Sequence, residues 1–205
     1  MNPYSQFKQV FSLEDVLNSR MIADPQRLYM CCPTSEGASA AVLCAKDVAK
    51  KYSSRKPIFI AASQFGTTQY SGAGVENPGL TERIAKQAYE MAGMSPKDMG
   101  MVQVHDAGTI GEIQQIEALG VVPKGEAWRW TMDGKTEING ELPVNSDGGL
   151  QAMGHPFGAT GIRMLHEIVT QLRGNAGPRQ VKNVKAGIAQ CSGAGGVCTV
   201  HILTR

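Results

Sequence analysis

Apolar positions along the chain fall into two kinds of stretch, short continuous runs and longer segments with helical spacing. Ala38-Ser39-Ala40-Ala41-Val42-Leu43-Cys44 is a small-residue apolar run of the buried-strand type. Helix formers follow over 46–51, and Ile58-Phe59-Ile60-Ala61-Ala62 reads as a second strand with Pro57 just before it. Over 81–92 the period becomes helical. Ile84, Ala88, Met91 and Ala92 share a stripe, Thr81 is placed to cap the start, and Gly93 to end it. Ser95-Pro96 opens a short helical turn. A brief strand at 101–104 leads to a helix over 108–119, with Ile110, Ile113, Ile116 and Leu119 apolar and Gly120 as its stop. Asp133-Gly134, between Trp130-Thr131-Met132 and Thr136-Glu137-Ile138, predicts a hairpin. A helix over 158–172 carries Ile162, Leu165, Ile168, Val169 and Leu172 on one face, with Gly174 after it. Strands at 184–190 and 197–203 flank a glycine turn at 193–196.

Residues 1–33 read as irregular, apart from a short helix near 12–17 with Ser12 as its N-cap. The order from Ala38 is β-α-β-α-β-α-(hairpin)-α-β-β. It predicts a layered α/β fold, a mixed sheet with covering helices. No internal repeat or low-complexity segment interrupts it.

Composition narrows the function classes. With 42% hydrophobic and 19% charged residues, the chain is neither disordered nor a coiled coil. A net charge of +2 is too balanced for a broad nucleic-acid-binding face. No apolar run approaches the roughly 18 residues of a transmembrane helix. The first residues have no basic and apolar leader pattern, and the cysteine count of five is odd. Together these predict free thiols and a cytoplasmic location. Glycine is in excess at 24, mostly in clusters after Gly93, which implies tight turns and close backbone approach.

Common ligand motifs fail. Gly134-Lys135-Thr136 resembles the end of a phosphate-binding loop, but Arg129 stands where its first glycine belongs. Gly193-Ala194-Gly195 lacks the third glycine and the following helix of a dinucleotide fingerprint. Zinc spacing is absent, so no metal site is expected.

Three segments survive, each at a strand end or a helix entrance: Val104-His105-Asp106-Ala107-Gly108; Asn145-Ser146-Asp147-Gly148-Gly149 running on to Gly154-His155-Pro156-Phe157-Gly158-Ala159-Thr160-Gly161; and Gln190-Cys191-Ser192-Gly193-Ala194-Gly195-Gly196. His155 precedes a helix N-terminus, where glycines admit a close backbone and the helix dipole favours negative charge. His105 lies between a strand and a helix. Cys191 ends a strand, the usual place for a site in an α/β sheet. Each also has a plain structural reading: a loop histidine bonded to carbonyls, a helix-capping histidine, a buried thiol. Cys198, Cys31, Cys32, Cys44, His166, His201, Trp128 and Trp130 read as packing or linker residues.

In order and spacing these segments resemble the carboxyl-terminal half of the thiolase superfamily, most closely the sterol-carrier or lipid-transfer and archaeal branch. Asn2-Pro3-Tyr4-Ser5-Gln6-Phe7 and Cys32-Pro33-Thr34-Ser35-Glu36-Gly37-Ala38 resemble that branch too. The resemblance implies a thiolase-like fold in which 1–33 is the tail of a loop region, 34–75 the last strand–helix unit of an amino-terminal half, and 76–205 the carboxyl-terminal domain. It implies an acyl-CoA C-acyltransferase half for Claisen condensation or thiolysis of a 3-ketoacyl-CoA. Its catalytic residues would be His155, Cys191 and His105. Gly193, His105 and His155 would form oxyanion holes, and Gly154, Phe157 and Gly195 would lie along the substrate. His155 would activate the nucleophile and polarise the acceptor's oxygen, while Cys191 would be the acid–base thiol. Ala107 is followed by Gly108, where the branch has Phe, which loosens one wall of the pocket.

No segment resembles the nucleophilic cysteine, which the family keeps on its amino-terminal half. The resemblance therefore implies a partner, an amino-terminal thiolase half or a same-family subunit, in a dimer-based homo-oligomer. A small zinc-ribbon/OB-fold acyl-CoA-binding chain is a further implied partner. Coenzyme A would be substrate or product, with no covalently bound cofactor. Two other readings stay open: a thiolase-like retro-aldol lyase acting on CoA esters, which needs no nucleophilic cysteine, and a non-catalytic assembly subunit.

Overall fold

A computed structural model describes residues 2–69, 79–194 and 196–205. Helix α1 (Leu13–Asn18) begins at a capping box: Asp15 N–H donates to Ser12 Oγ at 3.1 Å and Ser12 N–H to Asp15 Oδ2 at 2.8 Å. A small ribbon, β1 (Met21–Ala23) and β2 (Gln26–Arg27), follows, then the single turn α2 (Ala49–Tyr52). The main body comprises β3 (Phe59–Thr67), α3 (Leu80–Ala92), β4 (Val102–Gln103), α4 (Thr109–Ala118), α5 (Ala127–Met132), α6 (Gly149–Met153), α7 (Phe157–Arg173), β5 (Ala186–Gly193) and β6 (Val197–Thr204).

The sheet has the order β3-β6-β5-β4. Strands β4 and β5 are parallel and the other pairs antiparallel, so the sheet is mixed as expected. Alternation along β5 divides the core. Ala186 and Ile188 face the layer of Ile84, Ala88, Ile116 and Leu119 from α3 and α4 with the residue after it. Ala189 and Cys191 face Met164, Ile168 and Leu172 of α7. Gly187 lets α7 approach, since a Cβ there would lie 2.8 Å from an Ile168 methyl. Helices thus cover both faces. Gly93 and Gly174 end α3 and α7 in the left-handed conformation, at φ 62° and 77°.

Several expectations need correction. Residues 38–44 form no strand and lie on the surface, with Val42 97% and Leu43 73% exposed. An extended segment becomes a strand only against a partner's N–H and C=O groups, and neither edge of this sheet reaches it. The expected hairpin around Asp133-Gly134 is instead the C-terminus of α5. Gly134, at φ 69°, follows a helical turn in which Asp133 N–H bonds Arg129 O at 2.8 Å. The glycine that suits a hairpin turn suits a helix stop equally well. Thr81 does not cap α3. Gly79 does, and the Thr81 hydroxyl donates to Gln115 Oε1 at 2.8 Å. The buried stripe of α3 runs through Ala85 and Tyr89 and leaves Met91 exposed. The helix at 46–51 shrinks to α2, and α6 and the β1–β2 ribbon were not foreseen.

Strand β3, within the segment expected to end at 75, pairs along its length with β6 and so shares the sheet of 76–205. Trp130 packs on the core, whereas Trp128 is exposed beneath Arg129. No helix among the described residues is long and apolar enough to cross a membrane.

Candidate active site

Parallel pairing brings two of the singled-out segments to one end of the sheet. The β4–β5 ladder matches Gln103 with Ala189, so His105 and Cys191 both stand two residues beyond the last paired position. The third segment is the turn from α6 into α7. Helix α7 lays its first turns over β5, close enough that a Cβ on Gly161 would lie 3.9 Å from Cys191 Sγ. Thr160, one residue earlier, meets His155 Nδ1 at 2.8 Å. The rings of His155 and His105 stand edge to face with centroids 4.9 Å apart. His105, His155 and the strand end of Cys191 therefore gather at the entrance of α7.

Residues 31–34 hold this arrangement from behind. Cys32 N–H donates to Ala107 O at 2.9 Å, and His155 N–H donates to Pro33 O at 3.0 Å. One extended strap thus joins the loops of both histidines. It requires Gly154 at φ 91°, where a Cβ would come within 2.6 Å of Ser35 Oγ.

Hydrogen bonding settles the His155 tautomer. Thr160 Oγ1 donates to Pro156 O at 3.1 Å, so it accepts from His155 Nδ1–H. Nε2 keeps its lone pair and is available as a base. Burial, and next the Arg163 guanidinium, hold His155 below the usual imidazole range. His105 is pushed down to about 4 by burial and then by His155. Both rings are neutral at physiological pH. Burial raises the Cys191 thiol to about 11, so it stays protonated.

Behind His105 lies a buried polar cluster. Asp106 accepts from Leu150 N–H at 2.7 Å. Gly149 must be glycine here, because its φ is 58° and a Cβ would overlap the Asp106 carboxylate. Asn145, also left-handed at φ 46°, accepts Val104 N–H through Oδ1 at 2.9 Å and donates from Nδ2 to Glu112 Oε2 at 3.1 Å. Glu112 is raised to about 7 and Asp106 to about 6, each chiefly by burial. A carboxyl raised in the folded state binds its proton more tightly there than when unfolded. Glu112 thus favours folding fully below its unfolded value of 4.5, and that contribution is lost as pH rises through about 7. Glu112→Gln keeps an acceptor for Asn145 and removes the charge. It is expected to raise stability at pH 8 by on the order of 2 kcal/mol and to flatten the decline between these pH values, read by thermal melts across pH.

Phe157 stands 76% exposed with its ring centroid 4.5 Å from that of His155, on the open side of the site. Gly193 is exposed at the end of β5, paired with Val197. Gly195 lies outside the described residues. His166 is exposed on α7 and His201 lies on β6, neither in this group. Among the described residues no group of three His, Cys, Asp or Glu side chains could hold a metal. Sequence reasoning gave no individual role to Thr160, Asn145 and Gln190, though each lies in one of the three segments, and it missed Glu112. Gln190 carried its own signal: a polar residue at an inward position of an otherwise apolar strand.

Comparisons with known proteins identify the family of the chain. The family description Thiolase C-terminal domain-like matches residues 59–205. The acetyl-CoA acetyltransferase of Methanothermobacter thermautotrophicus is 43% identical, over 100% of this chain and 54% of its own length. Sterol carrier protein 2 of Oryctolagus cuniculus is 35% identical over 98% of this chain and 38% of its own. The solved Ltp2-ChsH2(DUF35) aldolase superposes with a TM-score of 0.84 at 28% identity, covering 99% of this chain and 54% of that one. The chain thus spans about half or less of the length of these relatives.

Proposed function

Because the chain belongs to the thiolase superfamily and carries its carboxyl-terminal domain, we propose that it supplies the acid–base half of an acyl-CoA C-acyltransferase site. The observation that carries this reading is the meeting of His155, His105 and Cys191 at one end of the sheet, with the two rings 4.9 Å apart. In thiolysis a cysteine thiol on an amino-terminal half attacks the ketone of a 3-ketoacyl-CoA. His155 Nε2 takes that thiol's proton. The carbon–carbon bond breaks, and the departing enolate takes the proton of Cys191. Cys191 is suited to this because burial keeps it a thiol. Protonated His155 returns its proton to the Cys191 thiolate and then takes the proton of CoA, which takes the acyl group from the enzyme cysteine as His155 gives that proton to the departing cysteine thiolate. His105 and protonated His155 donate to one developing oxyanion, and Gly193 N–H to the other. Gly154 and Phe157 flank the acyl chain.

Exposed Val42 and Leu43 support a covering partner, an amino-terminal thiolase half in a dimer-based assembly. We take the carboxyl-terminal domain to begin at Phe59, because β3 pairs with β6. A small zinc-ribbon/OB-fold chain that binds acyl-CoA fits the same assembly. Five free cysteines fit the cytoplasm.

A retro-aldol lyase is the second reading, favoured by the likeness to a solved aldolase and by Gly108, where the resembled thiolase branch has Phe. CoA dependence separates the two. With an amino-terminal half supplied, cleavage of a 3-ketoacyl-CoA is expected to require added CoA, followed by chromatography of the two acyl-CoA products. Cleavage of a 3-hydroxyacyl-CoA at a branched carbon without CoA would establish the lyase instead.

A further inference from the structure

Backbone pairing between β4 and β5 stops at Gln103 and Ala189. Beyond it, the chain carrying His105 has no ladder to fix its distance from Cys191. Two buried side chains replace the ladder. Asn145 takes Val104 N–H, as described above. The next donor, His105 N–H, meets Gln190 Oε1 at 3.2 Å. The same amide donates from Nε2 to Ser192 Oγ at 2.7 Å. Gln190 is fully buried, on the face of β5 opposite Cys191, among Ile188, Cys198 and Val200. An amide in such surroundings is unfavourable unless both ends are bonded, and here both are.

We propose that Gln190 is a positioning residue: it ties the backbone of His105 to the Cys191–Ser192 strand end and so fixes the spacing between the His105 oxyanion donor and the Cys191 acid–base thiol. This rests on the thiolase reading for its consequence, not for its geometry. Gln190→Met preserves volume and apolar packing but removes both hydrogen bonds. Without the tether the His105 loop opens and its ring gains water. Burial is the first cause of the low His105 titration, so exposure moves the midpoint up.

The experiment measures modification of His105 and His201 by diethyl pyrocarbonate across pH, with peptide mass spectrometry on the assembled enzyme. His201, half-buried on β6, is the internal reference. The expected result for Gln190→Met is a rise of about one pH unit or more in the His105 midpoint, with His201 unmoved. A second expectation is a fall of about tenfold in kcat with KM nearly constant. An unmoved His105, or equal movement of both histidines, overturns the proposal. Should Gln190→Met fail to fold, Ser192→Ala removes only the far bond. It is then expected to shift His105 in the same direction by less, and no shift overturns the proposal. If the midpoint moves while kcat does not, the tether stands and the catalytic reading of His105 falls.

Discussion

Replacing His155 by Ala is expected to slow every covalent step of the assembled enzyme, by about 10²–10⁴-fold. The size follows from the double use of one ring. Thr160 fixes the Nδ1–H tautomer, which leaves Nε2 as the base for the partner's thiol. Once protonated, the same nitrogen is a donor toward the oxyanion. Alanine removes both uses. The backbone bond from residue 155 to Pro33 O survives, so the strap and the entrance of α7 keep their places. Steady-state thiolysis and acyl exchange between thioesters are both expected to fall. An exchange rate equal to the parent's would contradict a role for His155 in activating the nucleophile.

Cys191→Ala is expected to divide the reaction. Its thiol serves only the enolate carbon, so carbon–carbon cleavage and condensation fall by about 10²–10⁴-fold while acyl loading from a thioester, which uses His155, continues. The substitution is mild for the fold. Ala189 already occupies the same face of β5, and the hydrogen bond from Sγ to Ser192 O is long, at 3.9 Å. Loss of turnover with an unchanged melting temperature would be the signature of lost chemistry rather than lost packing.

How much of this was legible in the sequence depended on how local the signal was. The stops at Gly93 and Gly174, the Ser12 cap and the final hairpin were readable because each is set by a few adjacent residues. The segment 38–44 was misjudged because burial is decided by a neighbour, and no strand of this sheet comes alongside it. Asp133-Gly134 was misjudged because one left-handed glycine serves two kinds of turn. In the site, His105, His155 and Cys191 were visible through their glycine-rich settings. Their supports were not. Gln190 and His105 are 85 residues apart in sequence, and Asn145 and Glu112 are 33 apart. Only the fold brings such pairs together. The strap at 31–34 looked like linker because the bonds that tie it to the site, Cys32 N–H to Ala107 O and His155 N–H to Pro33 O, join it to distant loops.

A quenched single turnover of the assembled enzyme tests the division of labour most directly. Intact protein mass spectrometry would follow acyl groups on the nucleophilic cysteine after mixing with an acyl-CoA, in the parent, Cys191→Ala and His155→Ala. The account predicts rapid acylation of Cys191→Ala with no carbon–carbon product, and acylation of His155→Ala slowed by about 10²-fold or more. Equal loading in both variants, or full condensation by Cys191→Ala, would contradict it.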